Sequence, residues 1–332
     1  MPGRAEQTFD VVGVGNAIVD VITHADDAFL TRQGLEKGAM TLVDSARAEQ
    51  LYAAMPPGIE ASGGSAANTM AGLASFGSRA AYIGKVRDDQ LGAVFGHDIR
   101  AVGVSYEQPA ALEGPPTARC LIVVTPDAER TMSTCLGISN LLAPDDVDEA
   151  LVASARVVYC EGYLWDVESA KAAIRKAMAA GRASGAKVAL TLSDSFCVDR
   201  HRDEFLDLIE DQVDILFANT AEILSLYEVD DVDTALERVR GHCEIACVTR
   251  SELGSVIVNR EAPIASPAWA PGPVVDTTGA GDLFAAGFLH AYCAGLGLAA
   301  AGRYGALAAG EVITHVGPRP EVNLRELARR QL

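Results

Sequence analysis

The segment Asp276-Thr277-Thr278-Gly279-Ala280-Gly281-Asp282 runs directly into the apolar stretch Leu283-Phe284-Ala285-Ala286-Gly287-Phe288-Leu289. This pattern predicts a turn of small residues that opens a buried helix. Glycines let backbone N–H groups point outward together and the helix dipole adds positive potential, so the turn should bind an anion, most naturally a phosphate. A carboxylate there would be repelled by the phosphate, so we interpret Asp282 as the base that accepts a proton from an attacking hydroxyl. The alternative for an isolated motif of this kind is an ordinary helix start with an acidic first turn.

Outside this segment, short β-rich runs alternate with helical patterns. The predicted strands are Phe9–Gly15, Ala80–Gly84, Arg156–Glu161, Lys187–Leu192, Val213–Ala218 and Ile245–Thr249. The predicted helices are Ser65–Phe76, Gln90–Val102, Val167–Ala183 and Ala221–Tyr227. The alternation predicts an α/β fold with a doubly wound, mostly parallel sheet covered by helices on both faces, which makes three layers. Sites in such sheets lie beyond the carboxyl ends of the strands.

Residues 21–45 and 105–135 break this alternation. Their turn residues, such as Gly114-Pro115-Pro116, are typical of short extended pieces. We expect residues 1–332 to form a single domain, with these two segments inserted as a small β-rich lid over the active edge of the sheet.

Charge and cysteine usage restrict the function further. A net charge of −18 argues against nucleic acid or an anionic membrane as a partner. The seven cysteines are odd in number and scattered, which is typical of reduced thiols. The chain begins without a recognisable secretory signal, so we expect a cytoplasmic protein. The apolar stretch 296–316 is interrupted by Arg303, Glu311 and His315 and predicts a buried helix rather than a membrane span.

Polar residues also follow the first predicted strand, in Gly13-Val14-Gly15-Asn16-Ala17-Ile18-Val19-Asp20. Ile18 stands where a dinucleotide-binding fingerprint needs its third glycine, which argues against an NAD-dependent oxidoreductase. The carboxylate of Asp20 could accept two hydrogen bonds from a vicinal diol of a ribose or another sugar. A turn Asn16 and a helix-capping Asp20 are an equally good explanation of the two residues alone. No P-loop is present, because Gly84-Lys85 lacks the upstream glycine.

Two further motifs combine small or amide residues with a predicted helix start. Gly63 and Gly64 would let backbone approach a ligand closely, and Asn68 follows in the first turns of the helix. Asn219 and Glu222 are spaced i, i+3 and share one face of a helical turn. They would also form an ordinary capping box.

Together these motifs resemble the signatures of the ribokinase-like (PfkB) family of carbohydrate and nucleoside kinases. The heptapeptide is similar to D-T-x-G-A-G-D, the segment 63–68 to G-G-x-x-x-N, and the segment 219–222 to N-x-x-E. The resemblance implies that Asp282 is the base and that Gly279, Ala280 and Gly281 form the anion hole. It implies an ATP-dependent phosphotransferase with an alcohol acceptor. Residues of the ATP site would be Asn219, Thr249, Gly254, Thr277, Gly279 and Gly281.

Within that family the chain is most similar to the adenosine kinases. Gly15-Asn16-Ala17-Ile18-Val19-Asp20 is similar to their G-N-x-x-x-D, and Leu190–Phe196 partly resembles their N-L-S-x-P-F segment. Glu129-Arg130 is similar to a family pair whose arginine reaches the transferring phosphate. The resemblance implies phosphorylation of the 5′-hydroxyl of adenosine in purine salvage. The substrate-binding residues would be Asn16, Asp20, Gly63, Gly64, Asn68, Met132, Leu136 and Phe196.

The alternative is a sugar kinase of the same family acting on ribose, fructose or a related carbohydrate; a non-catalytic nucleoside-binding protein is a further one. The expected cofactors are ATP and Mg²⁺, with Glu222 acting on the metal through water. A potassium ion near Asp276 and Thr278 is left open, because Gly317-Pro318-Arg319-Pro320 only partly resembles the pattern of relatives that use one. The oligomeric state, monomer or homodimer, is also left open.

Overall fold

A computed structural model describes residues 7–127 and 129–332. The expectation about a secretory signal concerns the start of the chain, where residues 1–6 lie outside the described residues. The strands are β1 (Phe9–Val14), β2 (Ile18–His24), β3 (Met40–Leu42), β4 (Ile59–Gly63), β5 (Ala80–Ile83), β6 (Ala118–Val124), β7 (Arg130–Cys135), β8 (Ala155–Glu161), β9 (Lys187–Thr191), β10 (Ile215–Asn219), β11 (Ile245–Thr249), β12 (Ser255–Val258) and β13 (Ile264–Ser266).

The helices follow the same chain order. They are α1 (Asp27–Gln33), α2 (Ser45–Ala54), α3 (Ser65–Phe76), α4 (Gln90–Ala101), α5 (Glu149–Ala153), α6 (Glu168–Ser184), α7 (Ser195–Asp211), α8 (Thr220–Tyr227), α9 (Val232–Val239), α10 (Ala280–Cys293), α11 (Leu298–Val312) and α12 (Leu324–Gln331).

The central sheet has eight strands in the order β13-β12-β11-β10-β9-β8-β1-β5. Six neighbouring strands, β11, β10, β9, β8, β1 and β5, pair in parallel, and β12 and β13 complete the edge as antiparallel neighbours. Both faces of this sheet are buried: on β1, Val11 belongs to one apolar core while Val12 and Val14 belong to the other. The α/β fold with a mostly parallel sheet between helical layers is therefore confirmed.

Close packing of three helices places the first turns of α3 and α10 side by side. Gly72 of α3 has no room for a Cβ, which would lie 2.7 Å from the Cβ of Ala286 on α10. Gly287 of α10 is likewise packed against α11, where a Cβ would lie 2.2 Å from the carbonyl oxygen of Tyr304. Small residues at these crossings let the backbones approach, and polar residues at the starts of α3 and α10 can therefore touch.

A second sheet of five strands, in the order β3-β7-β6-β2-β4, packs beside the carboxyl edge of the first. Its strands come partly from the predicted segments 21–45 and 105–135, and β4 lies outside both. The segment 21–45 also contains α1, so the extended interpretation was wrong for residues 27–33. The carboxylate of Asp26 caps this helix by accepting from the N–H of Phe29, and Gly34 ends it with a positive φ of 63°.

Candidate active site

The carboxyl ends of the central strands and one face of the second sheet enclose a cavity of about 720 Å³. The carboxyl ends of β1, β8, β9, β10 and β11, with the segments that follow them, supply one wall, as expected for a parallel sheet. The residues lining this wall include Asn16, Glu161, Tyr163, Thr191, Asp194, Asn219, Glu222 and Thr249.

Asp282 lies at the floor of the cavity in the first turn of α10, half-buried. Its carboxylate accepts hydrogen bonds from the hydroxyl of Ser65 (2.6 Å) and from the amide nitrogen of Asn68 (3.1 Å), both on α3. Burial raises the pKa of Asp282 to about 6, although these two hydrogen bonds lower it. The carboxylate is thus held in one direction and has a pKa suited to accepting a proton near neutral pH.

The turn before Asp282 offers backbone donors to the cavity. Gly279 has a φ of 78°, which only glycine adopts easily, and a Cβ there would lie 2.6 Å from the carbonyl oxygen of Pro318. A Cβ on Gly281 would meet nothing within 4 Å, so open space adjoins its backbone. The N–H of Ala280 already donates to the carbonyl oxygen of Thr277 (3.2 Å). Within the described residues, the N–H groups of Gly279 and Gly281 have no acceptor.

Arg130 reaches this turn from the start of β7 in the second sheet. Its Nη1 lies 2.8 Å from a carboxylate oxygen of Asp276 and 3.1 Å from the hydroxyl of Thr278. Its Nη2 is buried and has no hydrogen-bond partner among the described residues. Asp276 also accepts from Thr278 and from the N–H of Gly317 (2.8 Å). This ion pair joins the second sheet to the turn that precedes Asp282.

The cavity face of the second sheet is apolar apart from one row. The strand registers place Ile122 opposite Met132, and Met132 opposite Met40. The next row contains Asp20, Cys120, Thr134 and Leu42. Met40 and Leu42 line the cavity and are 51% and 60% exposed, so other protein side chains leave these two large apolar groups partly uncovered.

Asp20 is the one carboxylate on that face. No hydrogen bond to its side chain is formed within the described residues, and a Cβ on Gly63 would lie 2.4 Å from one of its oxygens. Burial raises the pKa of Asp20 to about 6, while the charges of Arg319 and Arg130 lower it and the charge of Asp282 raises it. An unpaired carboxylate opposite Asp282 is free to accept hydrogen bonds from a ligand.

Asn16 is buried and its side chain is largely occupied within the protein. Its amide nitrogen donates to Glu161 (2.9 Å), and its amide oxygen accepts from the hydroxyl of Ser139 (2.8 Å). Glu161 also accepts from the N–H of Ala66 (2.9 Å), which ties the start of α3 to the end of β8. Burial raises the pKa of Glu161 to about 7. Asn16 therefore orients the wall, in addition to lining it.

Asn219 and Glu222 form the capping box that was the alternative interpretation of their motif. Asn219 donates its backbone and amide N–H groups to Glu222 at 3.0 and 2.6 Å and accepts from the N–H of Glu222 at 2.9 Å. Burial raises the pKa of Glu222 to about 7. Both residues line the cavity, so capping does not remove them from the site.

Most of the predicted site residues meet in this one cavity. Its lining includes Asn16, Asp20, Gly64, Asn68, Met132, Leu136, Phe196, Asn219, Glu222, Thr249, Thr277, Gly279, Ala280, Gly281 and Asp282. Gly63, Gly254 and Arg130 are not among the lining residues. Gly254 is instead required by the turn, because its φ is 82° and a Cβ would lie 2.1 Å from the carbonyl oxygen of Ser266.

Sequence reasoning missed Ser65, Glu161 and Arg319. Ser65 stood inside the quoted glycine motif, and Glu161 ended a predicted strand on its carboxyl side, so position alone could have suggested both. Arg319 approaches Asn68 from a segment more than two hundred residues later in the chain, and no local pattern indicates that contact.

Residues 7–127 and 129–332 contain neither a preformed metal site nor a helix that could span a membrane. No group of three or more His, Cys, Asp or Glu side chains there is arranged to hold a metal ion. None of the helices in these ranges combines the length and apolarity required to cross a bilayer.

Comparison with known proteins agrees with this architecture. Residues 59–323 match the model of the pfkB family carbohydrate kinases. The crystal structure of adenosine kinase from Sinorhizobium meliloti is 53% identical in sequence, with a TM-score of 0.90 over 98% of this chain and 99% of that one. A probable sugar kinase from Rhizobium etli is 52% identical, with a TM-score of 0.91 over 98% of each chain. The ATP-dependent ribose-1-phosphate kinase of Halopiger xanaduensis is 30% identical over 69% of this chain and 73% of its own length.

Proposed function

This chain belongs to the pfkB family of carbohydrate kinases, and we propose that it phosphorylates the 5′-hydroxyl of adenosine with ATP. It is a phosphotransferase that acts on a hydroxyl group of a nucleoside or a sugar. The choice of adenosine rests on one observation above all, the apolar cavity face that carries a single unpaired carboxylate. A purine would cover Met40, Leu42, Ile122 and Met132, whereas a free hexose would leave its hydroxyls without partners there.

The proposed reaction uses groups that already have the required chemistry. The 5′-oxygen of the acceptor bonds to the γ-phosphorus of ATP, and the bond from that phosphorus to the β-γ bridging oxygen breaks. Asp282 accepts the proton that the 5′-hydroxyl loses. The N–H groups of Gly279 and Gly281 stabilise the charge on the transferring group, and closure of the second sheet would bring the unpaired Nη2 of Arg130 to it. Asp20 accepts hydrogen bonds from the ribose hydroxyls, and Asn68 and Gly64 border the same end of the cavity.

The nucleotide and its metal are assigned to the opposite end of the cavity. Asn219, Thr249 and Thr277 border the ATP, and Glu222 would hold the Mg²⁺ through water. Magnesium bound with ATP neutralises phosphate charge. A potassium ion at Asp276 does not fit, because the oxygens of this carboxylate already accept from Thr278, Gly317 and Arg130.

The second sheet would act as the lid that excludes water from the transfer. Its contact with the anion-binding turn runs through Arg130, so closing over substrate and completing the charge-stabilising group would occur together.

Turnover of matched acceptors tests the proposal. Purified protein with ATP and Mg²⁺ should produce ADP with adenosine at a kcat/KM at least roughly a hundredfold above that with ribose or fructose. The product from adenosine should be its 5′-monophosphate, identified by phosphorus NMR. Asp282→Asn protein that is expressed and purified in the same way controls for contaminating kinases. A higher kcat/KM with ribose or fructose would transfer the proposal to a sugar kinase, the alternative favoured by the likeness to the Rhizobium etli protein.

A further inference from the structure

Arg319 makes a contact that none of the proposed roles uses. It lies between α11 and α12, and its side chain is 15% exposed. Its Nε donates to the amide oxygen of Asn68 (3.3 Å), and its Nη1 lies 3.3 Å from a carboxylate oxygen of Asp98 on α4. Asn68 in turn donates to Asp282. The guanidinium therefore stands directly behind a hydrogen bond to the base.

Asp98 is itself fixed in place. The oxygen that faces Arg319 also accepts from the backbone N–H of Ser62 (2.8 Å) and from the Ser62 hydroxyl. Ser62 is buried at the end of β4, one residue before the glycine pair of the predicted motif. Arg319 is thus anchored on α4 and β4 while it contacts α3.

The chemistry of the donors decides how the Asn68 amide is turned. A guanidinium carries only donors, so the amide oxygen must face Arg319. An ionised carboxylate only accepts, so the amide nitrogen must face Asp282. Without Arg319 the amide could rotate by half a turn and present its oxygen to the carboxylate, which is a repulsive arrangement.

We propose that Arg319 is a positioning residue that locks the amide of Asn68 in the orientation that holds Asp282 toward the reacting hydroxyl. This inference rests on the proposed role of Asp282 as the base. The mechanism has no other use for a buried arginine at this point.

Several charged and titratable groups share the surroundings of Asp282 and Asp20, and they bear on any pH effect. The cations are Arg130 and Arg319, and the groups that titrate are Asp20, Tyr159, Glu161, Tyr163 and Glu222. Of these, Asp20 also responds directly to Arg319, whose charge lowers its pKa. Loss of Arg319 should therefore raise the pKa of Asp20 through lost charge and that of Asp282 through the lost Asn68 hydrogen bond.

The experiment compares Arg319→Met with Arg319→Lys by the pH profile of kcat/KM. Arg319→Met should lower kcat/KM by roughly tenfold at pH 7 and move the acid limb to higher pH. Arg319→Lys retains a charge and a donor for the Asn68 oxygen and should restore the limb toward that of the wild type. Arg325→Met, which removes an exposed arginine of the same C-terminal region, is the matched control and should change neither quantity.

The double variant Asn68→Ala/Arg319→Met separates positioning from general stability. If Arg319 acts through Asn68, its removal in the Asn68→Ala background should change kcat/KM by less than about twofold at pH 8, where Asp20 and Asp282 are both ionised. Independent, multiplying effects, or a Met variant that loses thermal stability with an unmoved acid limb, would overturn the inference. Failure of the proposed function is distinct, since it would show in the wild type as poor turnover of adenosine, and the same profiles can then be measured with whichever acceptor is used.

Discussion

The two walls of the cavity differ in polarity. The edge of the central sheet and the start of α10 present carboxylates, amides and backbone N–H groups held by hydrogen bonds, such as those from Ser65 and Asn68 to Asp282. The second sheet presents exposed Met40 and Leu42 with the single carboxylate of Asp20. We therefore expect a division of roles, with transfer chemistry on the polar wall and choice of acceptor on the apolar one.

Removing the base should have the largest effect on the polar wall. We predict that Asp282→Asn lowers kcat by roughly 10²-fold or more with every acceptor, because an amide cannot accept the proton. The amide keeps the size of the carboxylate, so the thermal unfolding midpoint should stay close to that of the wild type. Steady-state kinetics with adenosine and ribose measures the effect. A wild-type rate would remove Asp282 from the mechanism.

Arg130 links the two walls and should have the next largest effect. Arg130→Met should lower kcat by roughly tenfold to a hundredfold, because a charged donor to the transferring group is lost. Arg32→Met, an exposed arginine on α1, is the matched control. A raised KM for ATP with an unchanged kcat would mean that Arg130 binds the nucleotide and leaves the transition state unaided.

The pH dependence should report the carboxylates on both walls. The pKa values of Asp282 and Asp20 are each about 6, so lowering the pH through 6 protonates the base and kcat/KM should fall roughly tenfold by pH 5. Because the charge of Asp282 raises the pKa of Asp20, the acid limb reflects both carboxylates. Asp20→Asn should make the limb less steep and move it to lower pH. An activity that stays constant down to pH 5 would contradict a base with a raised pKa.

The apolar wall should give the smallest and most selective effect. Leu42→Gln should lower kcat/KM for adenosine by about fivefold, equivalent to about 1 kcal/mol of lost apolar contact, while changing turnover of ribose much less. Leu112→Gln is the control, since Leu112 is 76% exposed and does not line the cavity. Equal losses with adenosine and ribose would show that this wall does not recognise the purine.

The polar wall could largely be predicted because its signals are local. The turn from Gly279 to Asp282 is short, and helix α3 has the predicted bounds Ser65–Phe76. Gly254 was predicted to border ATP, but it does not line the cavity. A glycine is required there because φ is positive and Ser266 lies close to the position of a Cβ. A motif glycine alone does not say whether a ligand or a neighbouring chain segment requires it.

The sequence by itself determined the alternation of strands and helices, the turn of small residues from Gly279 to Gly281 and the acidic Asp282 after it, because each depends on neighbours only a few positions away. Tertiary structure alone decided that Asn68 lies between Arg319 and Asp282, that Arg130 reaches Asp276, and that Asp20 faces the cavity unpaired. The contacts of Asn68 and Arg130 join segments more than a hundred residues apart. They depend on where glycines such as Gly72 let helices pack closely. No local sequence pattern indicates which helices come together in this way.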